Sequence, residues 1–99
     1  MGKGKERNSR LKMYEIVIHK KFIRKLREME RPSLDKIANL MEILKTDPIP
    51  WKNFDIRKIQ GEKDMYRVRI GKYRLIYFVD KNTKMIHILK IETREKAYR

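Results

Sequence analysis

Residues 65–79 read MYRVRIGKYRLIYFV. Two runs rich in β-branched and aromatic residues flank the dipeptide Gly71-Lys72. A two-residue loop with glycine at its first central position closes a β-hairpin. A loop of that length also sets the register: Ile70 faces Tyr73, Arg69 faces Arg74, and Val68 faces Leu75. Side chains alternate between the two sides of a strand. Tyr66, Val68, Ile70, Tyr73, Leu75 and Tyr77 therefore share one face, the expected core face. Arg67, Arg69 and Arg74 share the opposite face, together with Ile76 and Phe78. Any fold open to this chain must give the hairpin one buried face and one arginine-bearing face.

The remaining periodicities supply the layers around it. Met13 to Ile18 is short and rich in β-formers, and predicts an N-terminal strand. Phe22, Ile23, Leu26 and Met29 recur at helical spacing and predict the buried stripe of a helix over about residues 20–30. Pro32 ends that helix and opens a second one, its fixed φ suiting a first turn. Leu34, Ile37, Leu40, Met41 and Leu44 form the second stripe, to about Lys45. Two helices joined by a short turn predict an antiparallel hairpin. Pro48 and Pro50 make residues 46–54 a loop, with Trp51 and Phe54 expected to tuck over a core edge. Residues 55–60 and 85–91 are further strands. The order strand, helix, helix, strands predicts an α+β domain with the helices on one face of a mostly antiparallel sheet. Residues 1–12 carry five basic side chains and one acid, and predict a flexible basic arm ahead of a single domain over 13–99.

The chain has 99 residues, 27 of them Lys or Arg against 13 Asp or Glu, a net charge of +14. An excess of that size points to a polyanionic partner: nucleic acid, the ribosome, an acidic protein or an anionic membrane surface. No apolar run reaches the roughly 18 residues of a membrane span, and no signal-type apolar segment follows the basic N-terminus. There is no cysteine, so neither a disulfide scaffold nor a thiolate metal site is available. This composition suits a cytoplasmic protein that needs no metal and no cofactor. No phosphate-binding glycine loop is present. His19 falls at a strand–helix junction, and His87 shares the parity of Leu89 and Ile91, a structural placement.

Two arginines directly opposite one another repel. Arg69 against Arg74 predicts either a well-hydrated surface or a pair held for an anion. The planar guanidinium fork suits phosphate better than an ammonium does. Phe78 and Ile76 offer an apolar surface beside it to a base or a partner's side chain. On the first helix, Lys20, Arg24, Arg27 and Arg31 recur at i, i+4, i+7 and i+11 and form a basic ridge. It is a candidate for rRNA phosphate contacts, or else a solvated helix face.

The segment Lys58-Ile59-Gln60-Gly61, the hairpin Met65 to Tyr77, and the ending Ile91-Glu92-Thr93-Arg94-Glu95-Lys96-Ala97-Tyr98 together resemble the RelE/ParE toxin superfamily. The likeness is greatest to archaeal RelE, and it covers roughly residues 13–99. It implies a ribosome-dependent endoribonuclease of a toxin–antitoxin pair. Such enzymes cut mRNA in the A site without metal, the ribose 2′-oxygen attacking the adjacent phosphate. It implies a RelB-like antitoxin, whose complex with the toxin binds operator DNA. It further implies that Arg67, Arg69, Arg74, Arg94 and Tyr98 form the site, with Tyr98 as base or as a group that orients the nucleotide. Some members have lysine where this chain has Arg67 and Arg69. Arginine keeps its proton, so these two would act by charge alone. ParE-type gyrase inhibition and non-catalytic RNA or ribosome binding are the alternatives on the same fold.

Overall fold

The computed structural model describes residues 13–93. Strand β1 is Glu15–Ile18, helix α1 Lys20–Leu26, helix α2 Arg31–Leu44, and strands β2 to β5 are Asp55–Lys58, Met65–Ile70, Tyr73–Asp80 and Met85–Thr93. The β3–β4 hairpin pairs Ile70 with Tyr73, Arg69 with Arg74 and Val68 with Leu75, the register expected from its two-residue turn. Gly71 carries that turn at φ +58°. A positive φ at the first central position and not at the second, Lys72, marks a type II′ turn, whose twist matches that of the strands.

One sheet holds all five strands in the order β1-β5-β4-β3-β2. β1 runs parallel to β5; the other neighbours are antiparallel. The helices connect β1 at one edge to β2 at the other, α1 packing on β5 and α2 on β3. The fold is thus α+β, with the helices on one sheet face. Val68, Leu75, Tyr77, Val79, Ile86 and Ile88 from the sheet meet Phe22, Leu40 and Leu44 from the helices, all with no exposed surface. None of the described helices lies over the opposite sheet face.

Tyr77 ties the proline loop to this core. Its hydroxyl donates to the Pro48 carbonyl at 2.8 Å, and its ring stacks on Tyr66 with centroids 5.6 Å apart. Burial, reinforced by neighbouring Tyr66 and Asp47, pushes the Tyr77 hydroxyl above the usual tyrosine range. A pKa raised by folding means that the neutral form stabilises the fold. That contribution is complete below a free tyrosine's value of about 10 and is lost as pH rises through the folded value. Tyr77→Phe is therefore expected to cost about 1 kcal/mol near neutrality and to flatten the alkaline fall in stability. Urea unfolding of both proteins at neutral pH and above about pH 10 checks this. Equal alkaline slopes would show that another group governs the loss.

The structure departs from the sequence reading in several places. α1 ends at Leu26, not near residue 30. Beyond it, the Glu28 and Met29 amides donate to the Lys25 and Leu26 carbonyls. These tight three-residue turns bring Met29 to 7% exposure. Glu30 then caps α2, its carbonyl accepting from the Ser33 and Leu34 amides. A seven-residue helix has room for one buried anchor, Phe22, and Ile23 is left 42% exposed. Phe54 packs against the core as expected. Trp51 does not: it is 57% exposed and touches only the edge of Tyr66 among the aromatic rings described. In β5, Ile76 pairs with Lys90 and Tyr77 with Ile88. Leu89 is thus an extra residue, a β-bulge that reverses parity along the strand. His87 therefore does not share a face with Ile91; Ile91 joins Ile86 and Ile88 in the core.

Candidate functional site

On the helix-free face, the pairings align side chains in rows across the sheet. One row is Asp55, Arg69, Arg74 and Glu92; the next is Arg57, Arg67, Ile76 and Lys90. Arg57, Arg67, Arg69 and Arg74, with Asp55, line a groove of about 360 Å³. Ile76, the partner of Arg67 across β3–β4, is 9% exposed, buried but outside the helix-side core. Three strands hold the groove, so its shape follows from the sheet and not from a loop.

The charges are poorly balanced. Two like-charged pairs sit directly opposite each other, Arg69 with Arg74 and Arg57 with Arg67, an arrangement that costs stability. Arg69 approaches Asp55 at 3.8 Å, both side chains about half exposed (45% and 52%). Such a long, wet pair contributes little and leaves the Arg69 charge available to another anion. At the groove edge, Lys90 pairs with Glu92 at 3.1 Å. Among the described residues Arg57 and Arg67 have no ion-pair partner. Fixed guanidiniums held by a sheet suit a phosphodiester, which can accept paired hydrogen bonds from several forks at once.

Of the residues singled out from the sequence, Arg67, Arg69 and Arg74 are brought together here. Arg94 and Tyr98 lie outside the described residues, as does the 1–12 arm; β5 ends at Thr93, beside Tyr73 and one residue past Glu92. The basic ridge is not one helix face. Lys20 and Arg24 are on α1, Arg27 is its C-cap, and Arg31 begins α2. Lys20, Arg24 and Arg27, all exposed, surround Ile23 in a shallow depression away from the groove. The sequence reading missed Arg57 and Asp55. The alternation around buried Ile56 could have placed them outward, but only the β2–β3 pairing sets them beside Arg67 and Arg69. Among the described residues, no group of three or more His, Cys, Asp or Glu is arranged to hold a metal.

The family model described as the ParE toxin of the type II toxin–antitoxin system parDE matches residues 16–98. A protein of Methanocaldococcus jannaschii, carried under the provisional name toxin RelE1, is 42% identical over 86 residues, 87% of this chain and 96% of that protein. The chain belongs to the RelE/ParE toxin superfamily. Solved RelE structures share the fold. The toxin chain of the archaeal RelE–RelB complex from Pyrococcus horikoshii OT3 matches with a TM-score of 0.77 and 34% identity, over 83% of this chain and 96% of that one. A variant of the Escherichia coli toxin RelE in the free state matches with a TM-score of 0.69 at 16% identity, over 87% of this chain and 88% of that one. In this RelE/ParE toxin the groove occupies the sheet face away from both helices. No described helix is long and apolar enough to cross a membrane.

Proposed function

We propose that this toxin is a ribosome-dependent endoribonuclease that cuts mRNA in the A site and thereby stops translation. The observation that carries the proposal is the convergence of four arginines from three strands on one groove. The RelE relatives at 42% and 34% identity favour this branch of the superfamily over the gyrase-directed one. The ribose 2′-hydroxyl loses its proton, its oxygen bonds to the adjacent phosphorus, and the P–O5′ bond breaks as O5′ takes a proton. The products are a 2′,3′-cyclic phosphate and a 5′-hydroxyl. Charge grows on the phosphate oxygens as the attack proceeds. Arg67, Arg69 and Arg74 supply fixed positive charge there, needing no reorganisation. In this reading Arg94 adds a further guanidinium, and Tyr98 takes the 2′ proton or orients the nucleotide. The ribosome holds the mRNA in line, and orientation by itself supplies several kcal/mol.

The exposed cations Lys20, Arg24, Arg27 and Arg31 meet rRNA phosphates. The protein acts in the cytoplasm without metal or cofactor. A RelB-like antitoxin neutralises it, as the RelE–RelB pairing of the Pyrococcus protein implies, and the pair binds operator DNA through the antitoxin. Primer extension on a defined mRNA in a reconstituted translation reaction tests the activity. Cuts within A-site codons are expected only when ribosomes are present, and Arg94→Ala is expected to abolish them. Cuts on free mRNA, or inhibition of translation with intact mRNA, would replace this reading with a free ribonuclease or a blocking module.

A further inference from the structure

The helix-free face does not end at the arginine groove. One row beyond Arg67 and Ile76, the pairings align Met65, Phe78, His87 and Val17. His19 lies two positions past Val17, on the same side of β1's line. Phe78 and His87 have ring centroids 6.0 Å apart, and His87 and His19 5.8 Å apart, with planes tilted by 31° and 41°. Phe78 and His87 are partly exposed, His19 is exposed, and none belongs to the helix-side core. Three rings from β4, β5 and the β1–α1 junction thus form a continuous platform, assembled from positions as far apart as 19 and 87.

Its neighbours define what it can hold. Towards the groove, the nearest row carries Arg57, Arg67 and Lys90. Two residues of strand separate the rows, roughly 7 Å, comparable to the span of one nucleotide. Away from the groove, the next row is Asp80, Met85 and Glu15. Asp80 is held ionised below its ordinary carboxylate range by its bonds to Thr83 and Asn82. The face therefore passes from a row of cations, through the three rings, to a row carrying Asp80 and Glu15 with Lys81 and Lys84 beside them. Phosphate is drawn to the unbalanced arginine row, and a flat group fits over the rings next to it.

We infer that the Phe78–His87–His19 platform stacks an unpaired base of the RNA strand whose phosphates occupy the arginine groove. Stacking on aromatic rings tolerates any base, because each presents a π face. The platform would thus hold the strand one nucleotide from Arg67 and fix its direction across the sheet. This rests on the RNA reading of the groove, and its test must separate the two.

The probe is a short 2′-O-methyl oligonucleotide, which cannot be cut through its 2′-oxygen, carrying one 2-aminopurine whose fluorescence falls on stacking. Binding to the full chain is followed at several salt concentrations. Wild type is expected to quench the probe. Phe78→Leu/His87→Leu, which keeps apolar bulk without rings, is expected to abolish the quench and weaken binding roughly 5- to 100-fold. The dependence of affinity on salt should stay unchanged, since no phosphate contact is lost. Arg67→Met should do the reverse, lowering the salt slope by about one phosphate contact and retaining the quench at saturation. An abasic nucleotide in place of 2-aminopurine should erase the difference between wild type and the double variant. The inference is overturned if the double variant, folded by circular dichroism, quenches and binds like wild type while Arg67→Met still lowers the slope. In that case the phosphate groove stands and the stacking does not. Quenching and loss as expected, in a protein that fails to cut mRNA on ribosomes, would support the platform and remove the cleavage reading instead. Wild type that does not bind the probe at low salt overturns both.

Discussion

Arg67→Met is expected to slow mRNA cleavage on ribosomes by about 10²–10³-fold while leaving thermal stability unchanged or slightly raised. The two halves of this expectation have one cause. Arg67 faces Arg57 across β2–β3 and has no ion-pair partner among the described residues, so its guanidinium is a cost to the folded state. Its stem stands beside Ile76, its partner across β3–β4, and methionine preserves that apolar cover. Only the charge and the fork are removed. In the proposed reaction that charge matters most in the transition state, where the phosphate oxygens gain electron density. The loss should therefore fall on the single-turnover rate measured with saturating toxin, and not only on ribosome affinity. Arg67→Lys, which restores charge without the fork, is expected to recover part of the rate. Single-turnover primer extension, paired with a melting curve, reads both quantities. If the methionine variant cuts at the wild-type rate, Arg67 takes no part in the chemistry. If it melts well below wild type, the assignment of an unfavourable charge pair fails.

Phe22→Ala is expected to destabilise the toxin by about 3–5 kcal/mol, a large share of the 5–15 kcal/mol typical of a small domain. Phe22 is the one fully buried side chain of α1. The helix is too short to persist without packing, and it connects through the Arg27–Glu30 turn to α2. Removing the ring leaves a cavity against β5 and takes away the contact that holds α1 in place. Ile23→Ala, one residue along, is expected to change stability by less than about 0.5 kcal/mol, since Ile23 lies largely in solvent. Urea unfolding of the two variants checks the contrast. Similar losses would mean that Ile23, too, is anchored in the core. A large change in the denaturant slope for Phe22→Ala would mean that α1 already detaches from the native state.

Local chemistry made much of this molecule legible. A two-residue loop beginning with glycine permits one register, so the facing of Arg69 and Arg74 and the common side of Arg67, Arg69 and Arg74 follow from the order of residues in 65–79. The second helix was legible for a similar reason. Its stripe of Ile37, Leu40 and Leu44 runs through three turns behind Pro32, long enough for periodicity to outweigh accident. The first helix was not, because over seven residues a helical spacing cannot distinguish a buried isoleucine from one that the following turn leaves outside. The motifs at 58–61, 65–77 and 91–98 carried the family.

Other features depended on contacts between distant segments. β2 lies beside β3 and not at the opposite edge, and that alone places Arg57 and Asp55 in the groove. β1 closes against β5 in parallel, which brings His19 within 5.8 Å of His87. The extra residue Leu89 shifts β5 by one position between Ile76 and Tyr77, and so decides that His87 faces outward while Ile91 faces the core. Trp51 stays exposed because Phe54, Ile49 and the Tyr77–Pro48 hydrogen bond already close the loop over the core. Alternation along one strand fixes which side chains share a face of that strand. Strand order, bulges and loop packing depend on the free energy of the whole assembled sheet, and no window of the chain contains it.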